Sequence, residues 1–116
     1  MVKPVFYAEW VREQQLDPTM LVTVYTGNDK MAPRIQCGDH LLVDRSQNVI
    51  DNGRIYALWY LDRLWIKRLY EQDDGCLLIT ADSPDDGVPP LCLSAEARDS
   101  LHIIGRVIHI QGTAGL

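Results

Sequence analysis

From Leu21 onward the apolar residues come in short runs that glycine, aspartate and proline keep interrupting. That punctuation limits the fold more than any other feature. LVTVYT (21–26) runs into Gly27, and HLLVD (40–44) follows the turn Cys37-Gly38-Asp39. Asp51-Asn52-Gly53 precedes RIYALWYL (54–61), Asp62-Arg63 leads into LWIKRLY (64–70), and Asp73-Asp74-Gly75 precedes CLLIT (76–80). After the loop ADSPDDGVPP (81–90) come LCLS (91–94) and LHIIGRVIHIQG (101–112). Short runs rich in β-branched and aromatic residues, bounded by turn residues, are strands, and Asp62-Arg63 reads as a hairpin tip. The expectation is a mainly β domain of twisted antiparallel sheets.

One helix precedes the strands. In PVFYAEWVREQQL (4–16), Pro4 suits a first helical turn and Phe6 and Trp10 share a face at i, i+4. Asp17-Pro18 ends it, because the residue before a proline is pushed out of the helical region. The chain divides into a helical lead-in over 1–18, one domain over 19–112 and a frayed tail over 113–116.

A chain of 116 residues, 47% hydrophobic and 23% charged, can bury one core of its own. No apolar run approaches the ~20 residues of a membrane helix, and the start lacks the apolar stretch of a signal peptide. A cytoplasmic protein without a membrane partner is expected. The net charge is −5, and acids at Asp62, Glu71, Asp73 and Asp74 surround the densest basic group, Arg63, Lys67 and Arg68. That is not the basic stripe of a domain that grips phosphates, so operator DNA would be reached only through a separate helix-turn-helix. The three cysteines include no C-x-x-C pair, and Cys37 with His40 is too few ligands for zinc. No metal or cofactor is expected, and the thiols read as reduced.

Alternation over LWIKRLY places Leu64, Ile66, Arg68 and Tyr70 on one face and Trp65, Lys67 and Leu69 on the other. Lys67 thus sits between an aromatic and a leucine. Desolvation disfavours a charged amine, which is how a lysine becomes a general base. The competing reading is that Lys67, like most strand lysines, carries its amine out to water.

GNDKMAPRIQCGDHLLVD, VIDNGRIYAL, LWIKRLY, LLITADSP and IIGRVI, in this order, resemble the C-terminal domain of LexA and the lambda-type phage repressors. That family of self-cleaving Ser-Lys peptidases also includes UmuD, and the resemblance covers residues 19 to 110. It implies a serine nucleophile in a G-D-S-M-x-P motif and a lysine base in a V-K-R-L strand. Residue by residue, Lys67 falls on the base, Met31 and Pro33 on the Met and Pro of the motif, and Lys30 on the nucleophile. The Gly-Asp before the nucleophile is here Asn28-Asp29.

A lysine cannot replace a seryl hydroxyl in an acyl transfer that must turn its ester over. If the family arrangement holds, Lys30 and Lys67 are also neighbours. Two ammonium groups ~4 Å apart repel by about 4 kcal/mol at an effective dielectric of ~20. Family members cut themselves at an Ala-Gly or Cys-Gly bond upstream of the serine, and no such pair precedes Lys30. Ser46, Ser83, Ser94 and Ser100 carry no nucleophile motif, and His40, His102 and His109 have no triad spacing. The expectation is a catalytically inactive relative, the alternative being an active peptidase with an unrecognised nucleophile.

In repressors of this kind the domain holds copies together so that two DNA-binding heads engage one operator. The resemblance therefore implies a homodimer or higher oligomer, with the DNA-reading head absent from this chain. Induction would depend on an antirepressor protein if self-cleavage is lost, and a UmuD-like accessory protein that binds a polymerase is the other alternative. The last strand is the candidate assembly edge. Its residues Leu101, Ile103 and Val107 alternate with Ile104, Arg106, Ile108 and Ile110, and both faces are apolar. A fully buried central strand would give the same pattern.

Overall fold

The computed structural model describes residues 11–25, 31, 35, 38–82 and 90–111. Residues 1–10 of the helical lead-in, the tail 113–116, and Lys30, Pro33, Cys37 and Ser83 lie outside the described residues. No described helix is long and apolar enough to cross a membrane.

Seven strands form one curled, wholly antiparallel sheet: β1 (Leu21–Tyr25), β2 (His40–Asp44), β3 (Ile55–Tyr60), β4 (Arg63–Glu71), β5 (Leu77–Thr80), β6 (Leu91–Leu93) and β7 (His102–Gln111). The mainly β expectation holds, and each run read as a strand is one. Their order in the sheet is β1-β2-β7-β3-β4-β5-β6. The last strand therefore lies inside the sheet between β2 and β3. The expectation that Ile104, Arg106, Ile108 and Ile110 form an edge strand is corrected at this point: apolar residues on both faces are what an interior strand needs.

β7 serves its two neighbours in turn. Its first half pairs with β3 from Trp59↔His102 to Tyr56↔Arg106, and its second half with β2 from Asp44↔Arg106 to His40↔Gln111. The register shifts once in each half, so that Ile104 and Ile108 are extra residues on β7. Such bulges bend a strand and change which face its side chains take. Val107 and Ile110, expected on opposite faces, consequently pack on the same core cluster, while Ile108 joins another.

Gly105 sits between the two bulges, where a Cβ would collide with the backbone carbonyl of Asp44. The glycine of the GRV run is thus a packing requirement, since only a residue without a side chain lets β2 and β7 come this close.

Neighbouring residues of β3 point to opposite faces, and the core divides accordingly. Tyr56, Leu58, Leu69, Leu77, Ile79 and Leu93 form one cluster. On the other face Met31, Ile35, Leu41 and Ile55 gather Val24, Ile66, Val107 and Ile110 around them. A third cluster of Val11, Leu21 and Leu42, with Leu16 and Ile108, packs the end of the lead-in helix on β1, β2 and β7.

That helix ends before Asp17-Pro18. Gln15 takes the left-handed conformation (φ 57). The Gln15 N–H donates to the Arg12 carbonyl and the Leu16 N–H to the Val11 carbonyl, each at 3.1 Å. The pair of bonds, with Val11 and Leu16 in one apolar cluster, is a Schellman ending that places glutamine where glycine is usual. Asp17 instead caps the following 3-10 turn Pro18–Met20 through its bond from the Thr19 N–H (2.9 Å). The β3–β4 hairpin turns at Leu61 and Asp62, both with positive φ (52 and 59), one residue earlier than expected. A two-residue turn with both residues left-handed matches the twist of its flanking strands.

β2 stops at Asp44, which is buried and accepts from the Ser46 N–H (2.9 Å), Ser46 Oγ (2.6 Å) and Gln47 Nε2 (2.9 Å). Burial alone would raise its carboxyl pKa. The hydrogen bonds from Ser46 and Gln47 outweigh it and hold the pKa below the ordinary value.

Two outcomes follow. Gly105→Ala destabilises the domain by about 1–3 kcal/mol or more, read as a lower urea midpoint with little change in slope. Because the folded pKa of Asp44 lies below the unfolded one, its contribution is complete above about pH 4 and drains away as pH falls through the lower folded value. Asp44→Asn accordingly costs about 1–2 kcal/mol at neutral pH and flattens the acid limb of a stability–pH profile.

Candidate peptidase-type site

The residues that the sequence singles out fall on β4 and on the segments flanking β2 and β5. Lys67 lies in the middle of β4, directly across from Tyr56 on β3, and is only 5% exposed. The expected alternation holds: Trp65, Lys67 and Leu69 share a face, and Leu69 is fully buried. Lys67 does not carry its amine out to water. Its Nζ lies 5.7 Å from the centre of the Trp65 ring, within reach of a cation–π contact.

The Trp65 ring is itself fixed. Its Nε1–H donates to the Tyr60 carbonyl at 2.7 Å, and the Arg63 guanidinium lies 5.1 Å from the ring centre. The hydroxyl of Tyr56 is committed as well, accepting from the Asp51 N–H (2.8 Å) and donating to the Val49 carbonyl (3.1 Å). Lys67 is therefore walled by side chains whose own positions are set by strand register and by hydrogen bonds.

Arg68, the next residue, points to the other face and makes the tightest ion pair among the described residues. Its Nε and Nη2 reach the Asp82 carboxylate at 2.7 and 2.9 Å, and its Nη1 donates to the Gly53 carbonyl at 2.6 Å. Both side chains are three-quarters or more buried. The bidentate carboxylate, ahead of the opposing effect of burial, raises the Arg68 pKa further, so the cation is permanent. The Asp82 N–H in turn lies 3.4 Å from Met31 Sδ. Met31 is 2% exposed and packs with Ile35, Leu41 and Ile55.

Three separated sequence runs are tied together in this way: Met31 after β1, Arg68 on β4 and Asp82 after β5. The structure thus brings the Met of the motif to the strand that carries Lys67, but on the opposite face of β4, against Ile66. Lys30 and Pro33 lie outside the described residues, and so does Cys37 of the weak C-x-x-H. The Arg68–Asp82 link escaped the sequence reading. Its only trace was an acidic residue just past the end of β5, in a loop crowded with aspartates.

The remaining candidates have local roles. Ser46 Oγ donates to Asp44, and Ser94 Oγ accepts the Ala97 N–H at 3.1 Å, where a 3-10 turn begins. His40 packs edge-on against Tyr25 with ring centres 5.6 Å apart, and His102 is exposed.

Comparison with known proteins fits this geometry. The profile of the Peptidase S24-like family matches residues 6–108. A protein of Haemophilus influenzae described as an uncharacterized HTH-type transcriptional regulator is 34% identical over 86 residues. That alignment covers 74% of this chain and 35% of the relative, so the chain spans about a third of that protein's length.

Arg68→Ala is expected to lower stability by about 2 kcal/mol, because it leaves the mostly buried Asp82 carboxylate without its partner. Hydrogen exchange should show the amide of Asp82 losing protection while β1 and β2 keep theirs.

Proposed function

The chain belongs to the Peptidase S24-like family, and on that premise we propose that it is the assembly and regulatory domain of a transcriptional repressor whose peptidase chemistry has lapsed. The observation that carries this reading is Lys30, a lysine at the position where the family's resemblance calls for the serine nucleophile. An amine there has no hydroxyl to be activated and would form an amide that water does not turn over. The fold around the site supports this reading: Lys67 is buried beside a fixed tryptophan, and Met31 packs in the core on the opposite face of β4. What such a scaffold retains without its nucleophile is the capacity to hold copies together.

The similarity to a described helix-turn-helix regulator supports a role in transcription, with DNA read by a separate head. The second half of β7 supports self-association. Past Arg106 it pairs with β2 alone among the described strands. A groove of about 640 Å³ opens beside it, between Val107 to Ile110 and the side chains of Arg54 and Arg68. We assign this groove, and not a free strand edge, as the surface that meets a second copy. Induction then falls to a protein that separates the copies or blocks the head.

Prolonged incubation at alkaline pH, alone and with activated RecA filaments, tests the lapsed chemistry by intact mass. The expected result is one uncut species in both. A specific internal cut that Lys67→Ala abolishes would show a working peptidase and overturn the proposal.

A further inference from the structure

The far edge of the sheet brings together two cysteines that the peptidase-type site does not use. Leu77 and Leu78 of β5 pair with Leu93 and Cys92 of β6. Cys76 immediately precedes β5, so it stands two residues from the position opposite Cys92, on the same face of the ribbon. The two thiols lie close enough for Cys92 to contribute to raising the Cys76 pKa. Cys92 is exposed and Cys76 partly so.

The turn before Cys76 is built to hold it there. The Asp74 carboxylate accepts the Cys76 N–H at 3.0 Å, and its proximity is the largest influence on the Cys76 thiol. Arg98 Nη1 donates to the Gly75 carbonyl at 3.2 Å, tying the turn to the segment that follows β6. β6 itself is three residues long and, among the described strands, pairs with β5 alone.

We propose that Cys76 and Cys92 form a hydroperoxide-responsive dithiol, in which the exposed Cys92 is oxidised first and Cys76 closes a cross-strand disulfide. The Cys92 thiolate attacks one oxygen of the hydroperoxide: an S–O bond forms, the O–O bond breaks, and the departing oxygen is protonated. The Cys76 sulfur then attacks the Cys92 sulfenic acid. An S–S bond forms, the S–O bond breaks, and the Cys76 proton passes through Asp74 to the leaving hydroxide. With hydrogen peroxide, two thiols and one peroxide give one disulfide and two waters.

The division of roles follows from the surroundings. Asp74, ahead of burial and of Cys92, pushes the Cys76 thiol up to about 11, which disfavours Cys76 as the first nucleophile and leaves that role to the exposed Cys92. The disulfide would restrain the chain between β5 and β6. That segment begins at the strand end from which Asp82 grips Arg68.

The test is peroxide treatment of the full chain in a Cys37→Ser background, followed by intact mass and non-reducing peptide mapping. Expected are the loss of two hydrogens, a Cys76–Cys92 linked peptide, and a rise of several degrees in melting temperature that a thiol reductant reverses. In Cys76→Ser, or in Cys76→Ala if the serine variant does not fold, dimedone should trap a sulfenic acid on Cys92. Pulse-labelling of the Cys37→Ser protein with dimedone during oxidation gives the same reading without a further substitution. Direct conversion of Cys92 to sulfinic acid, links only between chains, or unreacted thiols at doses that oxidise glutathione would each overturn the proposal.

Discussion

The contact on which the rest of the fold depends is the one between Gly105 and the Asp44 carbonyl, where β7 crosses from one set of strands to the other. Arg106, the next residue, is opposite Tyr56 on one side and Asp44 on the other. Everything toward β1 and β2 is held by the second half of β7, and everything from β3 to β6 by the first. A bulge on each side of this crossing bends β7 enough to serve both, and lets it feed apolar side chains into all three core clusters. The hydrogen bonds that fix Asp44 therefore do more than close a turn. They hold the carbonyl against which the glycine must pack.

Local signals made most of this architecture legible. Strand periodicity and Asp-Gly turns lie in consecutive residues, and all seven strands stand where those signals placed them. Whatever depends on partners distant in sequence stayed hidden. The apolar faces of β7 look the same for an edge as for an interior strand, and only pairing with β2 and β3 decides between them. Gln15 and Leu61 adopt left-handed conformations that their side chains do not favour, so the residue types announced a turn near each place without fixing its position. Arg68 with Asp82, and Cys76 with Cys92, are brought together by strand register.

The site was half legible for the same reason. Alternation along β4 was enough to put Lys67 between Trp65 and Leu69, and the structure adds that the lysine is buried there. Its place beside Trp65, in a member of the Peptidase S24-like family, is consistent with the proposal that a site framework has outlasted its chemistry.

The central claim is that this domain now serves to assemble, and sedimentation equilibrium of the chain over a wide concentration series tests it most directly. The account predicts a reversible dimer or larger closed oligomer that Arg54→Glu, an exposed residue on the wall of the β7 groove, returns to monomer without unfolding it. A monomer at every concentration, from protein with an intact sheet, would contradict it.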